Sequence, residues 1–204
     1  MQVRRLAVEG ALEFTPKVFH DGRGAFTSPY QEPAFVEATG RPLFSVAQTN
    51  HSRSQRGVIR GVHYTATPPG AAKYVYCAQG KALDIVVDLR IGSPTYGRWD
   101  ASVLDPEDFR ALYIPIGVGH AFVAMEDDTV MSYLLSESYV PNLELSVNLL
   151  DPALGLPLPD DVEPILSERD TVAPTLEEAV ALGVLPRYEA CREIEARVPA
   201  DVVR

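Results

Sequence analysis

Lys73-Tyr-Val-Tyr-Cys-Ala-Gln-Gly80-Lys-Ala-Leu-Asp-Ile-Val-Val-Asp-Leu-Arg90 reads as two β-strands about a tight turn: an apolar run over 73–78, turn residues Gln79-Gly80-Lys81, and a second run over 82–90. Within the second run Leu83, Ile85, Val87 and Leu89 alternate with Asp84, Val86, Asp88 and Arg90. A period of two sends these sets to opposite faces, so the charges predict a half-exposed strand. Further runs at Arg98–Leu104, Arg110–Ile114, His120–Met125 and Val130–Ser136 follow at the spacing of roughly 8–12 residues usual in sandwiches and barrels. Seventeen prolines and fourteen glycines punctuate these runs rather than forming a linker. After Asp151 comes a Pro-rich stretch, and Thr175-Leu-Glu-Glu178 is a capping box predicting a short helix closed by Gly183, with a second helix at about Tyr188–Arg197.

The chain has 204 residues, 46% of them hydrophobic, and a formal charge of −10. That length suits one domain with a substantial core. Residues 1–204 are therefore read as one unit, an all-β core over about 14–150 with an extension over 151–204. The acidic balance argues against nucleic-acid binding, which needs clustered cations. No apolar stretch is long enough for a signal peptide or a membrane span, so a cytoplasmic location is expected. The two cysteines, Cys77 and Cys191, allow no disulfide framework and no CxxC ligand pair.

Histidine chemistry must use His20, His51, His63 and His120. Arg60-Gly-Val-His63 sets a guanidinium and an imidazole three positions apart; in a regular strand they would face opposite ways, so both reach one pocket only if the chain bends or bulges at Gly61. Alternatively they are a surface arginine beside a packed histidine. Pro115-Ile-Gly117-Val-Gly-His120 resembles the second half of the cupin signature, a tight turn feeding a histidine into a barrel mouth. The first half usually supplies two more histidines and a glutamate, and here His63-Tyr-Thr65 meets no nearby acid before Asp84. The expectation is no metal site. Motifs for nucleotide-dependent hydride transfer, for phosphate-binding loops and for serine hydrolysis do not occur, and no cofactor is expected.

Seven stretches in order, Asp21-Gly-Arg23-Gly-Ala-Phe26, Gln48-Thr-Asn50-His-Ser52, Arg60-Gly-Val-His63, Pro69-Gly-Ala-Ala-Lys73, Asp88-Leu-Arg90-Ile-Gly92-Ser-Pro94-Thr-Tyr96-Gly97, Pro115-Ile-Gly117-Val-Gly-His120 and Ser167-Glu-Arg169-Asp170, resemble the dTDP-4-dehydrorhamnose 3,5-epimerase family. The resemblance implies a metal-free cupin-type (jelly-roll) β-barrel with short C-terminal helices, a homodimer exchanging N-terminal strands, and epimerisation beside the C4 ketone of dTDP-4-keto-6-deoxyglucose. It implies His63 as base, Asp170 as the carboxylate orienting it, Lys73 beside the C4 oxygen and Tyr133 as the acid on the opposite face. It further implies His120 as a substrate contact, with Arg23, Phe26, Gln48, Asn50, Arg60, Tyr139, Glu144 and Arg169 around the nucleotide. The chemistry is sound: a proton next to a carbonyl can be removed by a side-chain base if the enolate oxygen meets a donor or cation. Read alone, Tyr133 in an apolar strand is more often a core tyrosine, Asp170 could simply begin or cap a turn, and Lys73 would ordinarily be a solvated edge residue. Arg53 and Arg56 read as a solvated loop or as long-range attraction for an anion.

The chain departs from the family pattern at Ser28, where a glutamate is usual, and at Ala121 in His120-Ala-Phe122; tryptophans common near Asp151 are absent. These departures resemble the antibiotic-deoxysugar branch, whose members invert C3 alone or C3 and C5, and the reading leans to C3. A dTDP-sugar 3,4-ketoisomerase and a non-catalytic nucleotide-sugar-binding cupin remain alternatives.

Overall fold

A computed structural model describes residues 1–197. In chain order its strands are β1 (Gln2–Arg5), β2 (Leu12–Thr15), β3 (Phe19–Asp21), β4 (Gly24–Phe26), β5 (Gln48–Ser54), β6 (Ile59–Thr65) and β7 (Lys73–Gln79). Then come β8 (Ala82–Asp88), β9 (Trp99–Leu104), β10 (Ala111–Ile114), β11 (Val118–Ala124), β12 (Thr129–Leu135) and β13 (Glu144–Ser146). The helices are short: α1 (Glu32–Thr39), α2 (Glu168–Thr171), α3 (Leu176–Ala181) and α4 (Tyr188–Ala196). Among the described residues none is long and apolar enough to cross a membrane.

All six strands expected from β7 onward are present within one or two residues of their predicted ends, as are the capping box at Thr175 and the helix from Tyr188. The stretch before residue 60, left unassigned in the sequence, holds five further strands and α1. Pro33 in the first turn of α1 and Gly40 at its end, in the left-handed region at φ 75°, are ordinary helix punctuation.

The strands form two sheets, ordered β1-β2-β10-β7-β12-β5 and β13-β6-β11-β8-β9, plus the separate hairpin β3-β4. The expectation of a closed barrel is corrected to this extent: each large sheet keeps two edge strands, and the sheets meet through side chains. Val75, Cys77, Leu112, Ile114 and Met131 of one sheet pack on Val86, Leu104, Val118 and Phe122 of the other. Burying such side chains fully contributes about 1.5–3 kcal/mol each.

The half-exposed strand predicted at 82–90 is a second correction. Its apolar side, with Ile85, Val87 and Leu89, packs outward under the extension, against residues such as Leu154, Val162, Ala179 and Leu185. The charged side faces inward, and Asp84, Asp88 and Arg90 are at most 1% exposed. Burial of these charges is tolerated because each has a partner: Arg90 Nε and Nη2 donate to Asp88 at 2.8 Å, and His120 Nε2 donates to Asp84 Oδ2 at 2.8 Å.

Candidate active site

The bend required at Gly61 is present. Along the β6–β11 ladder His63 pairs with His120 and Arg60 with Phe122, so two residues of β6 stand opposite the single Ala121. This bulge undoes the alternation and turns Arg60 and His63 toward one cavity. Gly61 itself lies at φ 124°, and a Cβ there would sit 2.5 Å from the His120 carbonyl oxygen. On the neighbouring strand, the turn at Pro115-Ile-Gly117 feeds β11, which carries His120 into the same cavity, 5% exposed.

The cavity, of about 170 Å³, lies between the sheets and is lined by Asn50, Arg60, His63, Lys73, His120, Tyr133, Tyr139 and Glu144 among the expected residues. Thr65, Ala71, Phe122, Leu135, Glu137 and Ser138 complete it. Three of these six were available from strand geometry: residues 65, 122 and 135 lie two positions from His63, His120 and Tyr133 on the same strands, and so share their faces.

Asp170 stands behind His63 rather than in the cavity. Residue 165 is hydrogen-bonded alongside the start of β6, through Ile59 N–H to Ile165 O at 3.0 Å, and Ser167 then caps α2 by accepting from the Asp170 N–H at 3.1 Å. The one-turn helix delivers the Asp170 Oδ1 to 2.6 Å from His63 Nε2. Burial raises the Asp170 pKa, but the hydrogen bond from His63 and its electrostatic attraction, with hydrogen bonds from Ser167 and the Gly61 N–H, outweigh it and hold the carboxyl below its ordinary range. A carboxylate only accepts, so Nε2 carries the proton and Nδ1 is the free base. Burial is the largest influence on His63 and lowers its pKa; Asp170 opposes it, Lys73 and Arg169 add to it, and the net is a value below the ordinary histidine range, so the imidazole is mainly neutral at pH 7.

Lys73 starts a central strand, not an edge, and its side chain, 9% exposed, lines the cavity. Burial lowers its pKa, and the carboxylates of Glu144 and Asp84 oppose that shift. Tyr133 projects from β12 with its ring edge-to-face on His120 at 6.0 Å, and burial raises its phenol pKa. Thr65 Oγ1 donates to Glu144 Oε1 at 3.1 Å.

Other expected residues lie elsewhere. Gln48 sits beside the cavity: its Nε2 donates to Asn50 Oδ1 at 2.7 Å and its Oε1 accepts from the Tyr139 N–H at 2.8 Å. Arg169 shares a neighbouring cleft with Arg60, His63 and Asp170. Arg23 and Phe26 are not brought to the site, because the hairpin that carries them pairs only with itself and Arg23 is held by Asp21. Arg53 and Arg56 are exposed and face Asp128 and Asp161, which reduces any long-range pull on an anion. Among the described residues no three His, Cys, Asp or Glu side chains converge as a metal site requires.

A histidine backed by a carboxylate, a lysine and a phenol therefore meet at one small cavity, a set suited to proton transfer next to a carbonyl. The chain matches the family model described as dTDP-4-dehydrorhamnose 3,5-epimerase over residues 5–178. It is 46% identical over 94% of its length to a dTDP-4-dehydrorhamnose 3,5-epimerase of Mycolicibacterium smegmatis, of which 94% is covered. Among solved structures it resembles ChmJ, a 3'-monoepimerase from Streptomyces bikiniensis in complex with dTDP-quinovose, at 48% identity and a TM-score of 0.89, covering 94% of this chain and 97% of that one. It also resembles NovW, a 4-keto-6-deoxy sugar epimerase from the novobiocin cluster of Streptomyces spheroides, at 47% identity and a TM-score of 0.89, covering 94% and 95%. With these matches spanning nearly its whole length, the chain belongs to the dTDP-4-dehydrorhamnose 3,5-epimerase family.

Proposed function

We propose that this protein epimerises dTDP-4-keto-6-deoxyglucose at C3. One observation carries the reading: His63 stands on β6 of one sheet and Tyr133 on β12 of the other, so base and acid reach the cavity from opposite walls. Inversion needs that arrangement. His63 Nδ1 takes the C3 proton and the C3–H pair moves into the C3–C4 bond, leaving an enolate whose oxygen meets the Lys73 ammonium. The Tyr133 O–H then protonates C3 from the other face, and His63 and Tyr133 recover their protonation states from solvent. His120 contacts the sugar, with Asp170 holding His63. In D2O, one deuterium is expected at C3 of the product and none at C5, read by proton NMR; stoichiometric label at both carbons would make it a 3,5-epimerase.

A cavity of about 170 Å³ is smaller than the roughly 300–1,000 Å³ that a drug-sized ligand fills. It suits the sugar ring, with the diphosphate and thymine lying outward past Arg60, Asn50, Glu144 and Tyr139 and toward Arg169 and Gln48. Guanidinium forks suit the diphosphate and an aromatic face suits the base. The remaining contacts, Arg23 and Phe26, are assigned to the partner's site in a homodimer. What supports this is the unsupported hairpin, whose Phe19 and Phe26 are 53% and 70% exposed, an apolar surface that a partner would cover. Sedimentation equilibrium is expected to give twice the chain mass of 22.3 kDa; a monomer at micromolar concentration refutes the assignment. The two sheets are read as a cupin-type jelly roll, and residues 1–204 as one functional unit, because the extension covers the outer face of β8.

A further inference from the structure

The inner face of β5 makes four hydrogen-bonding contacts at or beside the cavity. Its residues alternate between half-buried Gln48, Asn50 and Ser52 and exposed Thr49, His51 and Arg53, ending at buried Ser54. Gln48 bridges Asn50 and the Tyr139 backbone, and Ser54 Oγ accepts from Arg60 Nε at 3.3 Å. Ser52 has its own target. On the β5–β12 ladder it pairs with Met131 while Asn50 pairs with Tyr133, which makes Ser52 the diagonal neighbour of Tyr133 on the same face. Its Oγ lies 3.4 Å from the Tyr133 Oη, whose only hydrogen-bond partner among the described residues it is. That is long for a hydroxyl pair, in a class of contact that commonly tightens once substrate binds.

We propose that Ser52 is the positioning residue for proton return: its hydroxyl aims the Tyr133 Oη at the reacting carbon and donates to the phenolate that forms. The inference rests on the reading of Tyr133 as the acid. When Tyr133 protonates C3, its O–H bond breaks, a C3–H bond forms from the enolate electron pair, and the phenoxide keeps the O–H pair. Burial of Tyr133 opposes that negative charge, and the hydrogen bond from Ser52 acts in the other direction. A serine hydroxyl can accept from the phenol before transfer and rotate to donate to the phenolate afterward. No group need be oxidised or reduced, and Ser52 itself never carries the transferred proton.

A merely structural serine would not alter how the enolate partitions, and that is the readout. With His63 intact but the acid misaligned, the enolate is reprotonated from the side on which it formed, giving solvent deuterium at C3 with retained configuration. The full chain is incubated with dTDP-4-keto-6-deoxyglucose in D2O, and NMR compares label in unreacted substrate with label in inverted product. For Ser52→Ala the ratio of exchange to inversion is expected to rise about tenfold or more, with kcat for inversion falling by a similar factor and KM within about twofold. Ser52→Thr is expected to restore the wild-type ratio, and it serves as the folded control if the alanine variant does not fold. Tyr133→Phe separates the two layers: exchange without inversion upholds the acid reading, and a wild-type ratio there refutes that reading and this inference together. If Tyr133→Phe exchanges without inverting while folded Ser52→Ala keeps the wild-type ratio, or if Ser52→Thr is folded but shifts the ratio as far as loss of the hydroxyl, the Ser52 inference alone is overturned.

Discussion

Replacing His63 by alanine is expected to lower kcat by about 10²–10⁴-fold, the usual contribution of a positioned general base, while the Kd for dTDP stays within about threefold. The separation follows from the geometry. His63 lines the cavity proposed for the sugar, whereas the groups suited to a diphosphate and a base stand at Arg60, Arg169 and Tyr139. Isothermal titration with dTDP and product NMR measure the two effects independently, and unchanged turnover would remove His63 from the base role. The pH profile sharpens the test. Because burial holds the His63 pKa below 6.5, the free base is already formed at pH 7, so the acid limb of kcat/KM belongs below pH 6.5. Asp170 opposes that lowering, so Asp170→Asn is expected to move the limb further down while reducing the plateau, since the imidazole loses the carboxylate that orients it. A limb that moves upward in Asp170→Asn contradicts the dyad.

The residues that were hard to read show where sequence reasoning stops. Period-two alternation found β8 and assigned its two faces correctly, but alternation alone does not say which face is inside. Asp84, Asp88 and Arg90 were read as the wet side because charges ordinarily seek water; in the fold each meets a partner, and the leucine face is instead covered by an extension more than sixty positions further on. Asp170 had the opposite difficulty. Nothing local distinguishes it from a turn former, and its meaning depends on a segment laid beside β6 over 100 residues away in sequence. The strands from β7 onward were legible because their apolar runs and turn residues are local signals, and the requirement for a bend at Gly61, if Arg60 and His63 share a pocket, followed from strand geometry alone. The hairpin carrying Arg23 and Phe26 was legible only as a motif, since what it packs against is not set by its own chain neighbours.

Gly61→Ala is the substitution with the largest expected effect on stability, about 3–6 kcal/mol, in a fold whose total stability is of the order of 5–15 kcal/mol. Two costs add. At φ 124° an L-residue is in a backbone region that glycine alone enters freely. The new Cβ would also sit 2.5 Å from the His120 carbonyl oxygen, 2.6 Å from the Ala121 Cβ and 2.7 Å from its Cα. Two of those atoms are backbone of β11, a strand paired on both sides, so the clash cannot be relieved by rotating a side chain. Gly155→Ala isolates the first cost: Gly155 lies at φ 56° with nothing within 4 Å of its Cβ position, so about 1 kcal/mol is expected there. By thermal unfolding the two variants should differ by roughly 5–15 °C in Tm. The loss at Gly61 extends to function. If β6 and β11 yield by sliding out the bulge, Arg60 and His63 return to opposite faces and the base leaves the cavity, so even the folded fraction of Gly61→Ala should fail to exchange C3 hydrogen with D2O. A Gly61→Ala protein with wild-type Tm and full exchange would show that the bulge does not orient the base.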